Sequence, residues 1–183
     1  MKFLQLTILA LLLFQPMSAY ESAFARTEVG TIEIKTIPAA RLLVSQSDNS
    51  YFEANNGLFR PLFRYIQAND IAMTTPVEAA IGPGIMYFDV GSDYADLELK
   101  DTDEVTIIEV SERTVLSLGV RGGYSAKNFN SAQARLLTYL SEQDKWIATG
   151  PARAIYWNSP FMPGIFKRSE IHIPVTKSTT EEK

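Results

Sequence analysis

The 183-residue sequence contains no cysteine and a single histidine, His172. Without cysteine there is no thiolate nucleophile, no disulfide and no cysteine-based metal site. A zinc or non-haem iron site built from several imidazoles is also excluded within one chain, because only one imidazole is present. The folded chain must therefore be held together by burial of apolar side chains.

An excess of basic residues is also absent. The chain has 17 Lys and Arg against 21 Asp and Glu, a formal net charge of -4, and no basic run appears. Nucleic-acid binding normally requires a basic surface that neutralises phosphates. We therefore expect no nucleic-acid partner.

Long hydrophobic runs are scarce, and the one present lies near the N-terminus. Lys2 precedes an apolar run over residues 3–14, which is the layout of a secretory signal peptide and is too short to span a bilayer. Cleavage could follow Ala19 or Ala25, and we favour Ala25 because Ala23-Phe24-Ala25 has the preferred small-x-small pattern. We expect an exported protein, periplasmic or secreted, with no membrane span after cleavage.

Removal of residues 1–25 would leave a chain of ordinary single-domain size. We predict one domain over residues 26–175 that is a monomer. Residues 176–183, TKSTTEEK, lack apolar side chains and are predicted to form a disordered tail.

Two segments about 75 residues apart resemble each other and predict an internal repeat. TIEIKTIPAARLLV precedes FRPLFRYIQANDIAMTTPVEAA, and TIIEVSERTVLSLGV precedes QARLLTYLSEQDKWIATGPARAIY. Each half predicts two strands, a helix with a central tyrosine (Tyr65 or Tyr139) and two further strands. The fold class predicted is α+β, a duplicated β-β-α-β-β unit in which a curved antiparallel sheet, a distorted barrel, carries two helices.

The alternation of apolar residues gives the bounds of these elements. In the first half, the strand over 31–37 is expected to pair with the strand over 41–46, and residues 48–56 read as a loop. The helix then begins near residue 58, so that Pro61 falls in its first turn. The other predicted elements are strands at 76–81, 85–90, 104–111, 114–121, 152–157 and 170–175, and a helix at 126–142.

The sequence does not indicate catalytic residues. His172 lies in Glu170-Ile171-His172-Ile173, where a lone histidine is more often an exposed strand residue than a base or ligand. No nucleophile elbow and no phosphate-binding glycine loop is present. Acidic pairs such as Asp101 and Asp103 lie in polar, solvated stretches. We predict no catalytic and no metal-ligating residue, and hence not an enzyme.

The first helix divides into two faces by helical spacing. Its core stripe consists of Phe59, Leu62, Phe63 and Ile66, and its second face carries Arg60, Arg64 and Gln67. These arginines could be ordinary solvated residues of a surface helix. Arginines four residues apart beside aromatic rings would alternatively supply stacking surfaces and forked donors for carboxylates.

The connection over residues 158–168 has a similar mixture of side chains. It contains the apolar side chains of Phe161, Met162 and Phe166 beside the basic ones of Lys167 and Arg168. A loop with so many apolar side chains usually covers another part of the protein or a ligand. If the loop faces the first helix, the two form a slot with an apolar floor and a cationic rim. Such a slot suits a flat hydrophobic ligand with acidic groups.

Three stretches together resemble the SOUL/haem-binding protein family: TIEIKTIPAAR, LFRPLFRYIQANDIAMTTPV and YWNSPFMPGIFKRSEI. The resemblance implies a duplicated unit in a distorted barrel, a fold shared with bacterial gyrase-inhibitor-like effector-binding domains. It also implies that haem or another tetrapyrrole binds in a shallow apolar cleft between the first helix and the late proline-rich loop. Firm axial ligation is not expected, because no histidine lies in the first half. The cofactor-binding residues predicted are Phe59, Arg60, Phe63, Arg64, Gln67, Phe161, Met162 and Lys167.

Within this set, the resemblance implies that Phe59, Phe63 and Met162 contact the macrocycle, while Arg60, Arg64 and Lys167 pair with propionates. Two other functions stay open. An effector-binding module for an organic cation would have a carboxylate, such as Glu78 or Glu170, pointing into its pocket. A hydrolase using the same cleft would need a buried carboxylate with a raised pKa.

Overall fold

The structure is a computed structural model that describes residues 22–178. The predicted signal peptide therefore lies almost wholly outside the described residues, as do residues 179–183. The first half contains β1 (Ile32–Ile37), β2 (Ala40–Ser47), α1 (Tyr51–Ala68), β3 (Val77–Ala80) and β4 (Gly84–Asp89). The second contains β5 (Thr106–Val110), β6 (Arg113–Arg121), α2 (Ala126–Ser141), β7 (Trp146–Ala148), β8 (Arg153–Tyr156) and β9 (Arg168–Lys177). Two short 3-10 helices lie at Ser92–Tyr94 and Gly164–Phe166.

The strands form one curled antiparallel sheet, a half-barrel, with the order β1-β6-β9-β8-β3-β4-β2-β5. The short β7 pairs with the end of β9 instead. Helix α1 packs on β2 and β4, and α2 packs on β6, β7 and β9. The predicted α+β class with a curved sheet is confirmed. Both halves follow the order β-β-α-β-β, apart from β7, and the sequence repeat itself stays a prediction.

The predicted pairing of the first two strands is wrong. β1 pairs with β6, where Ile34 lies opposite Leu116, and β2 pairs with β4 and β5. Alternation of apolar residues specifies which face of a strand is buried, but not which strand lies beside it. Proximity in sequence therefore gave the wrong neighbour.

The predicted start of α1 is also wrong, because the helix begins at Tyr51 and contains Pro61 in its interior. An internal proline removes one helical hydrogen bond and costs about 3 kcal/mol. Tyr51 and Leu58 are both buried in the core, and burying such a side chain contributes about 1.5–3 kcal/mol. Packing of the early turns thus offsets the cost of the proline.

Most other bounds agree with the predictions to within two residues. Strand β7 was not predicted, since three residues are too few to show alternation. Strand β9 extends to Lys177, two residues beyond the predicted end of the domain, because Thr176 and Lys177 pair with β7. None of the helices within residues 22–178 combines the length and the apolar character needed to cross a bilayer.

The two faces of the sheet differ in chemistry. The face under the helices carries the apolar core, which includes Leu43, Leu62, Phe88, Leu116 and Leu136. Successive strand residues point to opposite faces, so the neighbours of these core residues lie on what we call the helix-free face. Its buried polar residues are Glu78, Ser117, Glu170 and His172.

Residues Ser22–Val29, which we call the strap, cross the helix-free face. One end is fixed by a bridge between Ser22 and Thr75, and the other by a bridge between Val29 and Gly119. Thr27, between them, is buried. The strap therefore covers the polar side of the sheet.

Candidate functional site

Helix α1 presents a pair of stacked aromatic rings near the surface. The ring centroids of Phe59 and Phe63 are 5.5 Å apart with an interplanar angle of 18°. Phe59 also packs edge-on against Phe88 of β4, at 5.5 Å. Phe63 is 37% exposed, so it lies at the rim of the core and not within the predicted core stripe. The pair is a flat apolar surface fixed to the sheet by Phe59.

Cationic and polar side chains flank this pair. Arg60, Arg64 and Gln67 are all exposed. Arg64 donates from Nη2 to Glu104 Oε2 at 2.8 Å, in an ion pair whose two side chains are both more than half exposed. For Arg60, no hydrogen bond or ion pair is recorded with the side chains that the structure describes. An exposed ion pair contributes only about 0–1 kcal/mol, so both guanidinium groups can receive an external carboxylate.

The loop over residues 158–168 projects an apolar tip into solvent. Phe161 is 95% exposed, and Met162, Ile165 and Phe166 are exposed as well. Lys167 lies at the side of the loop, where its Nζ donates to the carbonyl oxygen of Pro160 at 2.9 Å. Contiguous exposed apolar surface of this kind often marks a binding site.

Hydrogen bonds close the base of this loop. The backbone N–H of Arg168 donates to Asn158 Oδ1 at 2.6 Å, and the hydroxyl of Tyr124 accepts from the N–H of Asn158 at 2.9 Å. Burial raises the pKa of Tyr124 to about 12, so its hydroxyl stays protonated. Nη1 of Arg168 is buried and makes no hydrogen bond within residues 22–178.

The predicted site residues fall into two groups, one on α1 and one on the loop. The recorded ring contacts connect the loop with the first turn of α1: Lys167 lies over Tyr124, which contacts Tyr156, which stacks on Tyr51. The Phe59–Phe63 pair lies two to three turns further along that helix. Within residues 22–178, none of the hydrogen bonds, ion pairs or ring contacts described above joins the two groups.

Four cavities in the described part of the chain are lined by other residues. Two open grooves of about 480 Å³ and 570 Å³ lie on either side of the ion pair between Arg41 and Glu109. A cavity of about 20 Å³ lies on the helix-free face beside Phe24 and Glu78, and one of about 10 Å³ lies beside Tyr124. Because Phe63, Arg60 and Arg64 are exposed, a ligand on α1 would bind to an open surface.

The helix-free face holds a buried carboxylate at its centre. Glu170 is fully buried and accepts hydrogen bonds from five residues. Its donors are the N–H of Thr27 at 2.8 Å, Ser117 Oγ at 3.0 Å, Lys35 Nζ at 2.5 Å, Trp157 Nε1 at 2.7 Å and His172 Nε2 at 2.7 Å. The hydroxyl of Thr27 donates to Glu33 Oε1 at 2.6 Å and lies 3.1 Å from Glu170 Oε2. Burial opposes its ionisation, but the hydrogen bonds from His172 and Lys35, together with the charge of Lys35, lower the pKa of Glu170 to about 2.

The expectation that His172 is exposed is wrong, since its side chain is 3% exposed. Burial lowers the pKa of His172, and the hydrogen bond with Glu170 opposes this in part. The imidazole is therefore neutral near pH 7 and donates Nε2–H to Glu170, while Lys35 carries the positive charge. Alternation between Ile171 and Ile173 did place His172 on the face opposite the core, but it did not reveal that the strap covers this face.

A second buried carboxylate, Glu78, lies between two arginines. Its Oε2 accepts from Arg113 and its Oε1 from Arg153, and the Arg153 guanidinium also lies 5.0 Å from the ring centre of Tyr87. In the sequence analysis, Glu78 and Glu170 appear only as carboxylates expected in the pocket of an effector-binding module. The partners of Glu170 were not predicted, because Lys35 and Thr27 are more than 130 residues away from it in the sequence.

No group of three or more His, Cys, Asp and Glu that could hold a metal ion occurs within residues 22–178. His172 is not available as an axial ligand for a surface-bound haem, because its side chain is buried and its Nε2 is bound to Glu170. Met162, in contrast, is exposed. The side chains on α1 offer contacts for the flat ring and for the acidic groups of a tetrapyrrole, but they include no histidine to bind its metal.

Comparison with solved structures agrees with this fold. The C-terminal domain of EcmrR has a TM-score of 0.64 at 15% identity, over 80% of this chain and 98% of that chain. An EcmrR–DNA complex gives a TM-score of 0.65 at 14% identity, over 80% of this chain but only 57% of that chain, less than two thirds of its length. A hydrolase from Listeria innocua gives a TM-score of 0.53 at 11% identity, over 82% of this chain and 94% of that chain.

At such low identities these likenesses show the fold alone. Among curated proteins, none matches the chain. The model of the family described as SOUL heme-binding protein matches residues 18–174, which is most of the chain. The three sequence stretches that resemble this family lie within the matched range, and the chain belongs to the SOUL haem-binding protein family.

Proposed function

We propose that this protein binds haem or a related tetrapyrrole on the exposed aromatic surface of α1, and that it carries or sequesters this ligand without catalysis. We further propose that it acts as a monomer after export, in a periplasm or outside the cell. The observation that carries the proposal is the stacked pair of Phe59 and Phe63, flanked by Arg60 and Arg64. Membership of a haem-binding family supports the same ligand class.

The macrocycle would bind mainly through burial of apolar surface. Removing such surface from water contributes about 25 cal/mol per Å², and the Phe59–Phe63 pair offers a flat surface of this kind. Met162 and Phe161, on the exposed loop, would contact the ring from the other side if the loop moves toward α1. The bound group would supply a metal or a π-system, and the chain would supply apolar contacts and positive charge.

The arginines would orient the ligand. A guanidinium group can bind a carboxylate through two parallel hydrogen bonds, so Arg60 and Arg64 are suited to propionates. Arg64 would exchange its exposed partner Glu104 for the ligand. Lys167 would pair with an acidic group at the loop. The buried His172 leaves the iron without a firm histidine ligand.

Titration with haemin tests this proposal. Wild-type protein should shift the Soret band and quench the fluorescence of Trp146 and Trp157. The double variant R60E/R64E replaces two attractions with two repulsions and should weaken binding about tenfold or more, which corresponds to about 1.4 kcal/mol or more. Phe63→Ala should weaken binding of both haemin and iron-free porphyrin, because the aromatic surface makes no use of iron.

The matched control is K127E/R135E, which makes the same change of charge on exposed residues of α2. Its affinity should stay within about twofold of wild type. Equal affinity in R60E/R64E and the control would remove the assignment of the site to α1. Absence of haemin and porphyrin binding by wild-type protein would remove the proposed function. Phe161→Ala tests the loop separately.

A second candidate is an effector-binding module for a small organic cation. The buried positions of Glu78 and Glu170 on the helix-free face favour it, since this alternative requires an acidic residue in a cleft. However, each carboxylate is already neutralised, Glu78 by Arg113 and Arg153 and Glu170 by Lys35. Binding of a cation there therefore requires some part of this arrangement to open. A hydrolase is less supported, because the pKa of Glu170 is lowered and not raised.

A further inference from the structure

The strap is fixed by backbone hydrogen bonds at both ends. The N–H of Ala23 donates to the carbonyl oxygen of Thr75 at 2.9 Å, and the N–H of Gly30 donates to that of Gly119 at 2.8 Å. Between these points the chain runs over the middle of the helix-free face. Its side chains are thereby held against the buried polar groups.

The ring of Phe24 fills a recess in this face. It contacts Trp157 edge-on at 5.4 Å and His172 at 5.8 Å between ring centres, and Lys35 Nζ lies 5.1 Å from its centre. Phe24 and Glu78 also line the same small cavity. The recess is therefore shaped for one aromatic ring, with charged groups around it.

Thr27 provides the second contact of the strap with this face. Its N–H donates to Oε1 of Glu170 at 2.8 Å, and its Oγ1 lies 3.1 Å from Oε2. Departure of the strap would leave Glu170 buried in a recess without the N–H donor of Thr27. A buried carboxylate that loses donors favours a ligand with N–H groups or positive charge.

Strand β6 has a glycine at the point where the strap crosses it. A Cβ atom added at Gly119 would lie 2.2 Å from the carbonyl oxygen of Glu28 and 2.7 Å from that of Thr27. These neighbours are backbone atoms, which cannot rotate away. Close approach of the strap thus depends on glycine at this position.

The charges near the recess favour a cation over an anion. With His172 neutral, the acidic groups outnumber the basic groups by one. The acidic residues are Glu33, Glu78, Asp89 and Glu170, and the basic residues are Lys35, Arg113 and Arg153.

We propose that the recess occupied by Phe24 is a binding site for a small aromatic amine, and that the strap is its built-in competitor. The aromatic ring of the ligand would take the place of Phe24. Its ammonium group would take the place of the Thr27 N–H on Oε1 of Glu170, while Lys35 stays on Oε2. This inference rests on the second candidate function and is independent of the tetrapyrrole surface on α1.

The two predicted cleavage points lie on either side of Phe24. Cleavage after Ala19 would keep the ring, whereas cleavage after Ala25 would remove it and keep Thr27. Processing would then decide whether the recess is filled. N-terminal sequencing of the exported protein identifies the form that exists.

The experiment compares wild type, Phe24→Ala and Gly119→Ala in the full-length chain. Phe24→Ala empties the recess, and Gly119→Ala displaces the strap while keeping every aromatic side chain. The probe is benzylammonium, with benzyl alcohol as the neutral and benzoate as the anionic comparison. Binding is measured by Trp fluorescence and by the rise of the midpoint of thermal unfolding with ligand concentration. Tyr139→Ala, which removes a partly exposed ring of α2, is the matched control.

Benzylammonium should bind both variants at least tenfold more tightly than it binds wild type and the Tyr139→Ala control. It should also bind the two variants more tightly than benzyl alcohol or benzoate does. Equal binding to wild type and both variants would show that the strap is not a competitor, although the second candidate function would stand. Absence of binding to all of them would overturn both. Equal affinity for benzyl alcohol and benzylammonium would overturn the proposed ligand class.

Discussion

Replacing Glu170 with glutamine should destabilise the protein strongly at neutral pH. The carboxylate is fully buried and neutralises Lys35, whose Nζ lies 2.5 Å away. Glutamine has the same shape, but it is uncharged and its amide group would turn N–H bonds toward N–H and O–H donors. Lys35 would then be left without a counter-ion, and Thr27 or Trp157 would lose an acceptor.

The lowered pKa of Glu170 gives the size of the stabilisation that Glu170→Gln would remove. A fall from 4.5 to about 2, at about 1.4 kcal/mol per pKa unit, corresponds to about 3 kcal/mol of stabilisation at pH 7. Removal of one partner from a buried ion pair typically costs about 3–5 kcal/mol. Both routes agree on about 3 kcal/mol or more, a large part of the roughly 5–15 kcal/mol of a whole domain.

The direction of the pH dependence follows from the same shift. Because the pKa of Glu170 is lower in the folded state, its contribution is complete above pH 4.5 and is lost as the pH falls through about 2. At pH 3 less than half of it, about 1.4 kcal/mol, should remain. His172, whose pKa is also lowered by folding, decreases stability as the pH falls below 6.5, so the test uses the difference in stability between wild type and variant at each pH.

Urea unfolding at pH 7, 5 and 3 measures the difference in free energy of unfolding between wild type and Glu170→Gln. At pH 7 the midpoint should fall by about 1–3 M urea, given m-values of about 1–3 kcal/mol per M. The control is Glu109→Gln, which removes an exposed carboxylate paired with Arg41 and should change stability by at most about 1 kcal/mol. A difference for Glu170→Gln below about 1 kcal/mol at pH 7, or one that stays constant down to pH 3, would refute the reasoning.

Two further predictions concern the core and a tight turn. Leu62→Ala removes a fully buried side chain of α1 and should cost about 2–5 kcal/mol in urea unfolding, whereas Leu137→Ala, at a half-exposed position of α2, should cost under about 1 kcal/mol. Gly84→Ala places a Cβ 2.7 Å from the carbonyl oxygen of Asn49, while Gly82→Ala meets nothing within 4 Å. We expect a clearly lowered midpoint of thermal unfolding for the first glycine variant and little change for the second; equal midpoints would contradict the close approach.

Much of the fold could be predicted from periodicity. Alternation in strands such as 85–90 and 114–121, and helical spacing over 126–142, located eight of the nine strands and both helices to within a few residues, except at the start of α1. That start was missed because residues 48–56 include Asp48-Asn49-Ser50 and Asn55-Asn56, which resemble a loop, and because Pro61 is unfavourable in a helix interior. The helix begins at Tyr51 because this side chain is buried in the core, and its burial depends on residues distant in sequence.

The residue types of the α1 surface could be predicted from the sequence, but its geometry could be predicted only in part. Helical spacing placed Arg60 and Arg64 on one exposed face, and the structure agrees. Spacing also placed Phe63 in the core, whereas this ring lies at the rim. The position of the 158–168 loop relative to α1 depends on Tyr124 and Tyr156, whose contacts join three separate segments, and no local pattern contains that information.

The first strand of each half pairs with the second strand of the other half, and this exchange makes the helix-free face continuous across both halves. β1 pairs with β6 of the second half, and β5 of the second half pairs with β2. Lys35 of β1 is thereby brought to Glu170 of β9, although the two belong to different halves. In a sheet with β1 beside β2, Lys35 would lie on the far side of β4 and β3 from Glu170, whose charge would then be unpaired and costly to bury. The buried carboxylate thus favours the exchanged pairing over the simple hairpin that proximity in sequence suggests.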